Sequence, residues 1–425
     1  MTITLKVDVH HLARVEGHGN IKVRVVDGEL TEARWDVVET PRFFEVMLKG
    51  KHYTAAGILT ARICGICSIG HCLASVRATE FAFGVEIPEA AAKLRLLAKH
   101  GETLQSHVLH LFFLAAPDFL GLHSAIPLKD IKPDVFALAA RLKKLANDIC
   151  DVVAGRTTHP VSIQVGGMAR MPDKHTLLDL KSRLERAVDD LRVTADLFRT
   201  FEIPEFERET EFVSLKGERG YPFIGGRVFS SDGVEHAEAD YLAMTNEYVT
   251  ENNTSKWCKL SRESFAVGAL ARVNNNYHRL HPKARAVAVL FDLAPVCYNP
   301  FMNNIAQLVE CVHVVHESMR LIDELVEMPN VETMVPVTPR AGRGVGAVEV
   351  PRGILYHDYE YDASGRIVKA NCIIPTTQNN ANIHYDLNAM VRQMAGNTGM
   401  TDERMELLCS MLVRSYDPCI SCSVH

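Results

Sequence analysis

Four cysteines in two identical spacings hold the chemistry of this chain. Cys64 and Cys67 form one CxxC pair, in Arg62-Ile63-Cys64-Gly65-Ile66-Cys67, and His71 follows a helical turn later. Cys419 and Cys422 form the other, in the closing stretch Asp417-Pro418-Cys419-Ile420-Ser421-Cys422-Ser423-Val424-His425. The pairs lie 355 residues apart, so only a fold that returns the C-terminus to the interior beside an early loop can join them. Four thiolates are soft donors that suit a metal. Structural zinc usually takes both pairs from knuckles within about 15–40 residues, to staple a small local fold. A chain of this length needs no staple. Arg62, His71 and Asp417 flank the pairs; a closed zinc site has no use for them, whereas an open metal site with hydrogen-bonded neighbours does. Spacing alone leaves three readings: structural zinc, an iron–sulfur cluster, or a catalytic metal held by four thiolates.

Composition narrows the setting. The 425 residues are 47% hydrophobic, enough for a substantial core in one large body or in two or three domains. The formal net charge is −6 without a long basic run, which argues against nucleic acid as a partner. No apolar stretch reaches membrane-spanning length and the N-terminus lacks signal-peptide architecture, so a cytoplasmic protein without direct membrane insertion is expected. Eleven cysteines are too sparse for a disulfide scaffold. Cys72, Cys150, Cys258, Cys297, Cys311 and Cys409 are isolated and expected as small buried hydrophobes.

The elements that must position the cysteines follow from periodicity. Alternation predicts strands over 3–10 and 20–39, with a hairpin turn at Asp27-Gly28 and a glycine-bearing loop over 11–19 between them. Helical spacing begins at Phe43 and runs into the first CxxC. A helix after His71 is expected to end at Gly84, and a long one to run from 89 to about 115, broken by Pro117-Asp118. Further helices are predicted at about 133–154, 174–201, 304–328, 382–395 and 401–414. The stretch 203–235 reads as irregular or β. Gly342, Gly344 and Gly346 precede strands at 346–350 and 366–374. The expected fold is mainly α with small β regions, a long-helix bundle around a buried metal site. It forms one body, 1–425: a β-rich segment at about 1–42, a helical core at about 43–201 and 236–330, and a late β/loop segment at about 333–375 before the metal-binding tail.

Taken together, Arg62-x-Cys64-Gly65-x-Cys67-x-x-x-His71 and Asp417-Pro418-Cys419-x-x-Cys422-x-x-His425 resemble the two signature motifs of the large subunit of nickel–iron hydrogenases. Four further stretches resemble that family's motifs in the right order: Arg14-Val15-Glu16-Gly17-His18, Pro41-Arg42-Phe43-Phe44-Glu45, Val350-Pro351-Arg352-Gly353 and Ile373-Ile374-Pro375-Thr376-Thr377. The resemblance implies reversible heterolytic cleavage of H2 to protons and electrons. It implies that Cys64 and Cys419 are terminal nickel ligands, that Cys67 and Cys422 bridge nickel to iron, and that the iron carries CO and CN ligands. Arg352 and Thr376 would hydrogen-bond the cyanides. Asp118, Pro351 and Asp417 would roof the open site, Glu16 would be the first proton relay beside Cys419, and His71 would hydrogen-bond a bridging sulfur. Glu45, His425 and the Cys372 carbonyl would bind a separate Mg2+-type ion.

Without the motifs the same residues have plainer readings. Glu16 could cap the amides of Gly17 or Gly19, Asp118 could form a helix-end turn, Glu45 could be a solvated helix glutamate, and His425 a loose last residue. Splitting H2 needs a Lewis-acidic metal and a nearby base, which a thiolate or Arg352 with Asp118 and Asp417 could supply. Two electrons must then leave, and no further CxxC set could hold a relay cluster, so a partner is required. His11-Leu12-Ala13-Arg14, the Pro41–Glu45 stretch, His107-x-x-His110 and Gln378 resemble the bidirectional, NAD(P)-linked branch that includes the sulfhydrogenases. That branch implies a small iron–sulfur subunit and diaphorase subunits binding FAD and NAD(P). The clusters and flavin are expected only there, because this chain has no dinucleotide-type glycine fingerprint after a strand. The family also implies a cleaved C-terminal extension. The rivals are a non-catalytic relative such as the complex I large subunit, which lacks the metal cysteines; a structural or electron-transfer protein with zinc or an iron–sulfur cluster; and an H2 sensor of the same fold.

Overall fold

The computed structural model describes residues 4–217, 220–328, 332–397 and 399–425. Its first element is the predicted β unit: Leu5–Val9, Gly19–Val26 and Glu29–Val37 pair antiparallel in sequence order. Ile21, Val23 and Val25 point into the core while Lys22 and Arg24 point outward. Asp27 and Gly28, both at positive φ (54° and 84°), close the hairpin as such turns require.

Helices make the centre. Ser68–Phe83 starts directly after Cys67, earlier than predicted, which places His71 in its first turn. Gly84, left-handed at φ 66°, ends it as expected. The long helix differs from expectation at its far end. Glu89–Leu109 passes into a π-turn, His110–Ala115, and on into Ala116–Phe119, so Pro117 does not break it. Pro117 stands in the first turn after the bulge, where its missing N–H leaves no helical bond unmade. The extra residue in the turn carries Asp118 into the interior. Pro133–Ala154, Lys174–Phe198 and Asn303–Glu327 follow the predicted spans and flank this core.

Two regions depart from the sequence reading. Residues 236–268, read as part of the helical core, form a 3-10 turn and short strands, Asn246–Tyr248, Trp257–Lys259 and Phe265–Ala266. Their Asn- and Thr-rich middle favours turns over an apolar helical stripe. The late segment is a full three-stranded antiparallel sheet, Gly342–Val350, Gly353–Tyr361 and Ile367–Ile373. Its central strand is buried on both faces and so shows no alternation to read. The following helix begins at Pro375, whose fixed φ suits a first helical position.

The glycines at 342, 344 and 346 are part of that sheet. They line one face of the strand and meet Ala74, Ala78 and Ala82 of the Ser68–Phe83 helix, backbone against backbone; a Cβ on Gly346 would fall on the Ala74 carbonyl. Gly346→Ala is therefore expected to cost about 1–3 kcal/mol through overpacking, read as a lowered thermal midpoint with unchanged secondary structure. Among the described residues no helix is long and apolar enough to cross a membrane.

Candidate metal centre

The CxxC loop is pinned from behind. The Gln105 amide donates to the Ile66 carbonyl (2.8 Å), the Thr158 hydroxyl to the Gly65 carbonyl (3.3 Å), and the His159 N–H to Ser68 Oγ (3.0 Å). The tail arrives from the opposite side. Ile420 N–H donates to the Glu16 carbonyl (2.9 Å) and Cys419 N–H to Thr376 Oγ1 (2.9 Å). Arg42 joins the two loops: its guanidinium donates to the carbonyls of Ile63 (2.7 Å) and Ser421 (2.5 Å), and its own N–H to Val424 O (2.8 Å).

The result is four buried sulfurs, those of Cys64, Cys67, Cys419 and Cys422, within 4.8 Å of one another. Cys64 Sγ and Cys419 Sγ are 3.5 Å apart, and Cys67 N–H donates to Cys64 Sγ at 3.2 Å. Cys419 and Cys422 stand in disulfide contact; as metal ligands they would be separate thiolates. Of the first pair Cys64 is the more acidic, lowered by its hydrogen bond with Cys67 and, against burial, by the charge of Arg352. Among the described residues no other group of three or more His, Cys, Asp or Glu side chains converges this closely. An all-sulfur donor set fits nickel and low-spin iron.

The predicted neighbours divide into those the fold brings to the sulfurs and those it does not. Glu16 Oε2 lies 3.3 Å from Cys419 Sγ and accepts from Ser421 N–H at 3.0 Å, while Oε1 accepts from the Ser421 hydroxyl. The Glu16 carboxylate thus serves the tail and caps neither Gly17 nor Gly19. Arg352 donates to Asp417 Oδ1 at 2.7 Å and to Ser106 Oγ at 3.4 Å, and both members of the ion pair are buried. Asp118 does not join them: its carboxylate is held between Arg14 and Arg414. The grouping of Arg352 with both aspartates is therefore corrected to Arg352 with Asp417 alone. Gln307 donates to the second oxygen of Asp417 at 3.2 Å. Pro351 contributes a carbonyl to Arg272.

His71 is buried, with Nδ1 3.2 Å from His357 Nε2 and with no partner at Nε2, so the expected hydrogen bond to a bridging sulfur is not formed here. Burial and then His357 push its imidazole well below the ordinary value; burial pushes His357 down to about 3. Arg62 is exposed and donates to the Ile58 carbonyl, away from the sulfurs. Near the tail's end, Cys372 N–H donates to Glu45 Oε1 (2.8 Å), His425 Nε2 lies 2.7 Å from the Cys372 carbonyl and 3.7 Å from Glu45 Oε1. Burial would raise the Glu45 carboxyl, but His425 outweighs it and holds it low. Neither residue is the free surface group that the plainer reading allowed.

Sequence reasoning missed Arg42, Arg414, Ser421 and His357. Arg414, directly after the largely apolar run Leu407–Val413, is a signal that could have been used; His357 gave none.

Known proteins resemble this chain over its whole length. The model of the nickel-dependent hydrogenase family matches residues 42–135 and 230–425. Sulfhydrogenase 1 subunit alpha of Pyrococcus furiosus is 33% identical over 425 residues, covering 99% of this chain and 98% of that protein. The beta subunit of the NAD-reducing hydrogenase HoxS of Cupriavidus necator is 27% identical, covering 99% and 94%. A solved NAD+-reducing [NiFe]-hydrogenase chain superposes with a TM-score of 0.89 at 27% identity, covering 99% of each chain. The chain belongs to the nickel-dependent hydrogenase family. It is a catalytic large subunit of the nickel–iron type, which sets aside zinc, an iron–sulfur cluster and the complex I relative as readings of the four sulfurs.

Proposed function

We propose that this subunit cleaves H2 reversibly and passes the electrons through a small iron–sulfur subunit to diaphorase subunits that reduce NAD(P). In this reading Cys64, Cys67, Cys419 and Cys422 would hold the nickel–iron centre, with Cys64 and Cys419 expected on nickel alone and Cys67 and Cys422 shared with an iron that would carry CO and CN. When bound, the centre supplies the Lewis acid and the electron acceptor for heterolytic cleavage. The observation that carries the reading is four buried sulfurs within 4.8 Å, one of them 3.3 Å from a carboxylate. Glu16 Oε2 is within reach of a proton on Cys419 Sγ, and the two donors of Ser421 keep the carboxylate turned to that sulfur. Arg352, oriented by Asp417, and Thr376, whose oxygen is engaged by Cys419 N–H, would hydrogen-bond the cyanides. Asp118, Pro351 and Asp417 would roof the site, with Asp118 fixed by its two arginines. Glu45, the Cys372 carbonyl and His425 would be the donors for an Mg2+-type ion.

The partner reading has its own support. A cleft of about 450 Å³ opens beside the CxxC loop, lined by Arg62, Arg156 and His159 with Ile58 and Val161. Ile58 and Val161 are 57% and 50% exposed, an apolar and cationic surface suited to an acidic protein face. The names of the relatives, sulfhydrogenase and NAD-reducing hydrogenase, point to the same acceptor. The test is the purified complex: nickel and iron in equal amounts, infrared bands of metal-bound CO and CN, and H2-driven reduction of NAD(P)+. A metal-replete sample with an empty infrared window would overturn the reading of the centre. Reduction of artificial dyes without reduction of NAD(P)+ would overturn the acceptor alone.

A further inference from the structure

We infer that Glu102, held by Lys99, caps the helix that begins at Cys67 and so leaves the Cys67 sulfur free for the metals. The inference rests on the nickel–iron reading of the four-sulfur pocket and adds two positioning residues to it.

The helix Ser68–Phe83 has a cysteine where its cap belongs. Cys67 is the N-cap residue, and its side chain makes no capping hydrogen bond. The first N–H groups of a helix have no partner within it, and an N-cap side chain ordinarily accepts from the second or third of them. Gly70 is the third. Its N–H donates instead to Glu102 Oε1, at 3.0 Å, a carboxylate brought in by the helix Glu89–Leu109. A negative charge suits that end of a helix.

The rest of Cys67 is engaged. Its N–H donates to Cys64 Sγ at 3.2 Å, and its carbonyl accepts from the His71 N–H at 3.1 Å. The helix that carries Glu102 also grips the chain just before Cys67, where the Gln105 amide donates to the Ile66 carbonyl at 2.8 Å. Only the sulfur of Cys67 is left over, and it lies within 4.8 Å of the other three.

Glu102 and Lys99 are 1% and 0% exposed. Lys99 donates to Glu102 Oε2 at 2.8 Å and to Thr103 Oγ1 at 3.2 Å, and its ammonium stands 5.9 Å from the centre of the Phe223 ring. Gly70 gives the carboxylate room: a Cβ there would lie 3.1 Å from Glu102 Oε2 and collide with Val350. A buried ion pair is a poor way to gain stability over an apolar pair of the same size. What an apolar pair could not do is accept the Gly70 N–H. Without that acceptor, the side chain in the capping position is the Cys67 sulfur itself, and a thiolate that accepts an N–H gives less charge to the metal it binds.

Two double variants of the metal-loaded complex differ only in the cap. Lys99→Met with Glu102→Gln removes both charges and keeps an amide oxygen for Gly70. Lys99→Met with Glu102→Leu removes the acceptor as well. The first is expected to keep the nickel and iron content and the CO and CN stretching bands of the unaltered protein. The second is expected to move those bands to higher frequency, or to lose metal, as the sulfur takes up the N–H. Equal bands and metal content in the two doubles would overturn the inference, even if the second were less stable to heat. Bands shifted equally in both would overturn it too, by showing that the pair acts through its charges. If the leucine double fails to accumulate, Lys99→Met with Glu102→Asn, whose amide is one methylene short of Gly70, decides in its place. Absence of the bands from the unaltered protein would overturn the nickel–iron reading instead.

Discussion

Glu16→Gln is expected to leave the metal centre assembled and to slow H2 turnover about 10²–10⁴-fold, the usual worth of a positioned proton-transfer group. The substitution keeps the shape of the side chain. The backbone link between Glu16 and Ile420, and so the path of the tail, does not depend on the carboxylate. An amide can still accept from one donor of Ser421, but it cannot take up and release a proton. Of the carboxylates near the sulfurs, Glu16 has an oxygen 3.3 Å from Cys419 Sγ. Asp417 is committed to Arg352 and Gln307. The measurement is steady-state H2 oxidation beside nickel and iron content. A variant with normal metal and a rate within a few-fold of the unaltered enzyme would show that protons leave by another group.

The cysteines were legible because CxxC is a local constraint: a tight turn aims two sulfurs at one point wherever it occurs. That the two pairs meet was legible only through the motifs, since no local rule reports a contact across 355 residues. The β hairpin and most long helices were legible from alternation, helical spacing and the glycine at 84. The strand Gly353–Tyr361 was not, because burial on both faces erases the pattern that identifies a strand. The partners of Asp118 were hidden for a different reason. Its sequence neighbourhood reads as a helix end, and the π-turn that carries the residue inward has no composition of its own. Arg414, 296 residues away, becomes its partner only after the tail has docked. The grouping of Asp118 with Arg352 as a base therefore failed on the cation: its carboxylate is held by Arg14 and Arg414.

Loss of Arg272 is expected to be the most damaging single change to stability away from the cysteines, about 3–5 kcal/mol for a buried charge left without its partner. Arg272 is fully buried and spends its donors on five contacts. Nε and Nη2 donate to the two oxygens of Glu310 (2.6 and 2.7 Å), Nη1 to Glu349 Oε2 and the Val350 carbonyl (both 2.9 Å), and Nη2 to the Pro351 carbonyl (3.0 Å). Burial alone would raise the Glu310 carboxyl; Arg272 and then His107 hold it below the usual carboxylate range. Tyr221 donates to the same carboxylate at 2.6 Å, and Leu215 N–H to Glu349 at 2.7 Å. Arg272→Met would leave two buried carboxylates facing each other across an apolar side chain. Adding Glu310→Gln should recover part of the loss, because it removes one of the stranded charges. Thermal and denaturant unfolding of the single and double variants measures both. A single-variant loss under about 1 kcal/mol, that of a solvated surface pair, would show that the cluster is wetter than its burial implies. The effect also reaches the chemistry. The two carbonyls held by Arg272 belong to the residues immediately before Arg352, so the same guanidinium that neutralises the cluster fixes the turn from which Arg352 reaches Asp417 beside the sulfurs. Turnover in Arg272→Met should therefore fall at temperatures where the variant is still folded.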